Sequence, residues 1–118
     1  MFYEKSRLDG KEGVEWIAPY DSAAGFDILS YHDKDNHENN RFIEVKSYAG
    51  NKPYFYWTRN EMNVAKSRGM DYMIYLVCRD RMNEEGYHPI IIANPIPNIL
   101  EKKEWLKEVD KYYIIMDN

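Results

Sequence analysis

Asp27, Glu44 and Lys46 are the residues whose types and order point most directly to chemistry. Glu44 and Lys46 flank Val45 in the segment RFIEVKSY, residues 41–48, which alternates as a β-strand does. Side chains two apart on a strand share a face, so this carboxylate and ammonium project together, about 7 Å apart at Cα. Ile43 and Val45 then turn the other way, toward a core. Asp27 interrupts the apolar run of FDILSY, residues 26–31, and a hairpin between the two strands brings it beside Glu44. Charged groups in strands this apolar are costly to bury unless they serve a purpose. Two converging carboxylates offer hard oxygen ligands to Mg²⁺, which keeps several waters and commonly takes one or two carboxylates plus a substrate phosphate. A metal there stabilises a pentavalent phosphate and lowers the pKa of a bound water. The lysine can position or deprotonate that water, or neutralise developing charge. These parts match metal-assisted hydrolysis of a phosphodiester. A purely structural ion-pair cluster across the hairpin is the alternative reading of the same three residues.

The elements that must position them can be read along the chain. Residues 1–8 look like the end of a helix, truncated upstream and stopped by the turn Asp9-Gly10. Strands are expected at residues 14–18, 26–31 and 41–48, with a polar turn over 32–40, giving an antiparallel meander. A short strand at 54–57 leads into a helix whose start is marked by a capping box, Thr58 with Glu61, and a hydrophobic staple, Trp57 with Met62. Gly69 stops that helix. The apolar run at 71–78 reads as an interior strand covered on both faces. A strand at 88–93 follows the charged turn RDRMNEEG, and Pro95 and Pro97 break the chain. Asn98 with Glu101 then caps a last helix, the amphipathic EKKEWLKEVDK, before an edge strand at 112–116. The sum is a single α/β domain over residues 1–118. Its mixed central sheet combines the antiparallel meander with a right-handed strand-helix-strand crossover between residues 43 and 76.

Composition narrows the function classes. A chain of 118 residues, 44% hydrophobic and 31% charged, can bury a core and is one domain in size. The longest apolar run, at 90–93, is strand-sized and far short of the roughly 20 residues that cross a bilayer, and no secretory signal is evident, so a cytoplasmic chain without a membrane partner is expected. A lone cysteine, Cys78, excludes an internal disulfide and a cysteine-based zinc site and reads as a buried thiol. The net charge of −4 argues against simple wrapping of nucleic acid, whose affinity comes from phosphate neutralisation. Nucleic-acid binding then requires a partner or a local basic face, for which Arg41, Lys52, Lys66 and Arg68 are candidates. Arg59 and Lys66 are candidates for contacting a phosphate near the start of the helix at Thr58. Tyr48, Tyr54 and Tyr56 are read as cross-strand packing residues in preference to base-stacking ones. In HDKDNHENN, Asp33, Asp35 and Glu44 fall at calcium-loop spacing, but Glu38 stands where that loop needs glycine, so a solvated hairpin loop is expected. His32 and His37 could ligate a metal but, as lone loop histidines, are read as solvated, and His88 has no partner signature.

The segments GFDILSY, RFIEVKSY, FYWTRNEMNVAK, DYMIYLV and IIANPI together resemble the NO VEIN C-terminal domain family, a domain of unknown function placed within the restriction-endonuclease-like PD-(D/E)XK superfamily. The resemblance runs from about Gly25 to Ile96. The triplet E-x-K is unspecific alone and gains specificity from GFDILS before it and TRNE after it. The likeness implies a restriction-endonuclease-like fold, with Asp27 as the motif aspartate and Glu44, Val45 and Lys46 as the E-x-K element. It further implies Asp27, Glu44 and Lys46 as the catalytic set and Asp27, Glu44 and Val45 as holders of Mg²⁺ or Mn²⁺. The superfamily often adds an acid from an upstream helix, and Glu4 is the candidate here. The implied activity is a metal-dependent endonuclease hydrolysing phosphodiester bonds of nucleic acid, with DNA expected. A homodimer or a larger partner protein, such as a helicase or methylase subunit, would select the target. The alternative is a catalytically inactive module that keeps the fold and binds protein or nucleic acid in a defence or regulatory assembly.

Overall fold

The computed structural model describes residues 2–17, 24–35, 38, 40–109 and 114–116. In chain order it contains helix α1 (Phe2–Arg7), strands β1 (Glu15–Trp16), β2 (Ile28–Ser30) and β3 (Arg41–Tyr48), helix α2 (Arg59–Arg68), and strands β4 (Tyr72–Cys78) and β5 (Ile90–Ala93). The apolar run YMIYLVC forms β4, buried at every position but Val77. A strand with no polar face must be covered on both sides. Here Ala65 and Ile99 pack on one face and Tyr3 on the other, while β3 and β5 pair its edges in a five-stranded sheet ordered β1-β2-β3-β4-β5. β1, β2 and β3 form the expected antiparallel meander. β4 then runs parallel to β3, with Glu44 opposite Ile74 and Lys46 opposite Leu76, and β5 returns antiparallel. Parallel neighbours cannot be joined by a tight turn. The connection between them is α2.

The start of α2 follows from its sequence. Thr58, in extended conformation, accepts the Glu61 amide on Oγ1 at 3.1 Å, and Glu61 Oε1 accepts the Thr58 amide at 3.1 Å. Two otherwise orphaned donors are thus satisfied reciprocally. Gly69, at φ 56°, ends the helix. Strand alternation divides the core. Tyr48, Tyr72, Ile74, Leu76, Cys78, Ala65 and Ile99 pack on the α2 side, joined by Phe26, Phe42, Phe55 and Trp57. Ile28, Ile43, Met73 and Tyr75 pack on the other, with Tyr3 and Val14. Each fully buried Ile or Leu contributes about 1.5–3 kcal/mol. Cys78 is a buried free thiol.

Gly25 is where glycine is required. It has φ +81°, and a Cβ there would lie 2.5 Å from Val64 Cγ2 of α2. Its carbonyl accepts the Tyr72 hydroxyl at 2.7 Å, which fixes the chain just ahead of Asp27 against both α2 and β4.

Several expectations need correction. Residues 54–57 form no strand, although burial alternates: Phe55 and Trp57 pack inward, while Tyr54 and Tyr56 are exposed. Tyr48, by contrast, is core. β1 and β2 are shorter than expected, and residue 18 lies outside the described residues. The C-terminal helix is absent from the described residues after Leu100. A single π-turn, Ile96–Leu100, forms instead, and Asn98 donates to the carbonyls of Ala93 and Asn94 rather than capping a helix. The reason is that EKKEWLKEV has little to bury: Trp105 packs edge-on to Phe55 at 5.9 Å, but Leu106 and Val109 are exposed. A short helix without a buried stripe has too little tertiary support. Residues 114–116 carry no strand, and residues 112 and 113 of the expected edge strand lie outside the described residues, as does His37. No helix among the described residues is long and apolar enough to cross a membrane.

Candidate active site

The β2–β3 pairing determines where Asp27 goes. Ile28 is opposite Ile43, and the Asp27 amide donates to the Ile43 carbonyl at 2.8 Å, so Asp27 comes level with Glu44. Its Oδ2 accepts the Val45 amide at 2.8 Å, which fixes the carboxylate across β3. Glu44, 5% exposed, hydrogen-bonds the Asp27 side chain. Burial raises the Glu44 pKa from the ordinary 4.5 to about 9, and the neighbouring Asp27 and Glu61 carboxylates add to the rise while Lys46 opposes it. The raised value favours the protonated form of the Glu44 carboxyl at neutral pH. Lys46 projects on the same face and ion-pairs with Glu61 Oε1 at 2.8 Å.

That preference has a stability consequence. Between pH 4.5 and about 9 the folded chain keeps a proton on Glu44 that the unfolded chain has released. Stability therefore falls as pH rises through that window. Melting curves of wild type and Glu44→Gln across it are expected to differ in slope, with the wild type losing stability toward alkaline pH and the Gln variant flatter. Parallel slopes would contradict the assignment.

Two carboxylates close enough to share a proton can instead accept a divalent cation in its place. An all-oxygen donor set suits Mg²⁺ or Mn²⁺. Asp27 and Glu44 thus fit such an ion as a two-carboxylate set, the number of protein carboxylates Mg²⁺ commonly takes. Among the described residues no group of three or more His, Cys, Asp or Glu side chains is placed to hold a metal.

The family model described as Protein NO VEIN, C-terminal, matches residues 1–92. The chain belongs to this family. No curated protein and no solved structure matches it. The part that matches the NO VEIN C-terminal family contains Asp27, Glu44, Lys46 and the whole of α2, whereas the irregular segment after β5 falls outside it.

Other residues singled out in the sequence are placed differently. Glu4 is not beside Asp27 and Glu44. It bonds Ser30 Oγ at 2.6 Å and the Tyr75 hydroxyl at 2.7 Å, and it pairs with Arg7. Ser30 is opposite Arg41 and Tyr75 opposite Val45, so these side chains occupy the odd-numbered face of β3, behind the sheet from Glu44 and Lys46. The Val45 side chain lies on that face too, leaving only its main chain for the site. Arg41 is buried, with its guanidinium on the Tyr75 hydroxyl at 2.6 Å, and so is no part of a basic surface. Arg59 opens α2 and is exposed, but Lys66 sits in the last turn, about 10 Å further along the axis, and cannot serve the helix start. Arg68 lies over the Phe42 ring at 4.2 Å. Asp33 accepts the Asp35 amide at 2.8 Å in a local turn, as a solvated loop does, and His32 pairs with Asp71 at 2.8 Å.

Glu61 is the residue that sequence reasoning missed. Its capping role gave it a complete structural explanation, which hid its second role as the partner of Lys46. The signal available was helical position: an N3 carboxylate facing the sheet reaches the strand beneath.

Proposed function

We propose that this chain is a Mg²⁺-dependent phosphodiesterase acting on nucleic acid, with DNA the expected substrate, on a restriction-endonuclease-like fold. The observation that carries the reading is the carboxyl pair of buried Glu44 and half-buried Asp27, with Lys46 on the same strand face. The order of the sheet, an antiparallel meander followed by a helix and a parallel strand, agrees with that fold. Asp27 and Glu44 would hold the ion, and the Val45 amide orients Asp27 for it. When bound, the ion supplies charge stabilisation at the phosphate and a more acidic water. Lys46, held by Glu61 as a cation, neutralises charge that develops on the phosphate oxygens. Glu61, anchored at the start of α2, sets where that ammonium sits. Given the acidic net charge, target selection falls to a second copy or a larger partner protein.

A second reading is favoured by how completely the cluster satisfies itself: Asp27 on the Val45 amide, Glu44 on Asp27, Lys46 on Glu61. A catalytically inactive interaction module would keep such a network for stability alone. The experiment that decides is incubation of the purified chain with plasmid and oligonucleotide substrates in Mg²⁺ or Mn²⁺ and in EDTA. Metal-dependent cleavage lost in Asp27→Asn is the expected result. Substrate that stays intact, together with no metal affinity by calorimetry, would favour the interaction module.

A further inference from the structure

The exposed tyrosines beside this site are unexplained by folding. In KPYFYWTR, residues 52–59, burial alternates: Phe55 and Trp57 pack on the α2-side core, with rings 6.1 Å apart, while Tyr54 and Tyr56 are 50% and 71% exposed. Cross-strand packing cannot account for the outward pair, because residues 54–57 belong to no strand. The alternation leaves both tyrosines on the outward side of the segment, opposite Phe55 and Trp57. The segment runs into the cluster: two residues after Tyr56, the Thr58 amide and the Lys46 ammonium meet on the same oxygen, Glu61 Oε1.

Charge singles out the same stretch. The chain carries a net −4, yet residues 45–60 contain no Asp or Glu and include Lys46, Lys52 and Arg59. Lys52 and Arg59 are exposed and bracket the tyrosines. At the neighbouring end of β4, Arg79 donates to Ser47 and Arg81 to Tyr48. Flat aromatic faces between cations are the elements of a single-strand platform: bases stack on the rings whatever their sequence, and the cations follow the phosphates.

We infer that Tyr54 and Tyr56, bracketed by Lys52 and Arg59, stack the bases of an unpaired nucleic-acid strand and lead its backbone to Asp27, Glu44 and Lys46. This rests on the nuclease reading of that cluster, and it specifies the substrate as single-stranded or locally unpaired. A base inside a duplex has no free face for these rings.

The test is fluorescence anisotropy in EDTA, so that binding is read without cleavage. The probes are labelled oligo(dT), oligo(U) and a duplex of equal length. One or both single strands are expected to bind more tightly than the duplex. Tyr54→Ala and Tyr56→Ala are each expected to weaken single-strand binding by about tenfold, while Tyr56→Phe binds as wild type. The melting temperature of each variant shows that it is folded. Equal affinity for duplex, alanine variants that bind as wild type, or no binding of either single strand would each overturn the inference. Tyrosine-dependent binding without cleavage in Mg²⁺ would uphold the platform and sink the nuclease reading. Cleavage with tyrosine-independent binding would do the reverse.

Discussion

Replacing Lys46 with alanine is expected to slow Mg²⁺-dependent cleavage by about a hundredfold to a thousandfold, the usual cost of removing one preorganised charge from a reacting centre. Lys46 shares a strand face with Glu44 and is held at 2.8 Å by Glu61. Its loss leaves the Glu61 carboxylate without a counter-ion near a carboxyl already raised by burial. Some stability will be lost with it, so rate and melting temperature must be read together. Lys46→Arg separates them. Arginine keeps the cation and its pairing with Glu61, so this variant is expected to recover the stability and most of the rate. Initial nicking rates of a supercoiled plasmid, measured below the melting temperature of every variant, provide the comparison. If Lys46→Ala cut at the wild-type rate, Lys46 would have no part in the reaction.

Glu4→Gln is expected to give the largest loss of stability, about 3 kcal/mol, as when one partner of a buried ion pair is removed. Glu4 is 1% exposed and ties α1 to the sheet through Ser30, Tyr75 and Arg7, while Arg7 also donates to the carbonyls of Tyr31 and His32. Burial alone, the largest single influence on its carboxyl, would raise its pKa. The hydrogen bonds from Arg7, Ser30 and Tyr75, with the Arg7 charge, together hold it below the ordinary 4.5. The contribution is therefore present above pH 4.5 and lost as pH falls through the lowered value, opposite in sense to that of Glu44. Urea denaturation at neutral pH measures the loss. Cleavage by the folded fraction is expected to be unchanged, because Glu4 lies behind the sheet from Lys46. A loss of less than about 1 kcal/mol, with cleavage abolished, would move Glu4 into the site.

What could be read from the sequence was local or periodic. Thr58 and Glu61 stand at fixed spacing, so the start of α2 was legible. The run 72–78 is apolar throughout, so its place inside the sheet was legible too. Asp27 is legible beside Glu44 because a hairpin joins the two strands, and the observed register, Ile28 opposite Ile43, brings the two level. What could not be read depends on which side of the sheet an element crosses. Glu4 belongs to a six-residue helix whose approach is set by Ser30 and Tyr75, contacts distant in sequence. Arg41 looked like a surface cation because nothing in RFIEVKSY reveals that Tyr75 waits on the neighbouring strand. The segment EKKEWLKEV has the composition of a helix, and it failed as one because only Trp105 found a surface to pack on. Tyr54 and Tyr56 alternate with apolar residues as strand residues do, but Phe55 and Trp57 satisfy that pattern by packing on the core without a partner strand.

The proposed chemistry requires a divalent cation to take the place of the proton beside the Asp27 and Glu44 carboxyl groups. The measurement that tests it most directly is anomalous diffraction from crystals soaked in Mn²⁺ at a pH above neutrality, where Glu44 gives up its proton more readily. A single anomalous peak bridging the Asp27 and Glu44 carboxylates is the predicted result. A map with no peak there, and with Glu44 still hydrogen-bonded to Asp27, would contradict it.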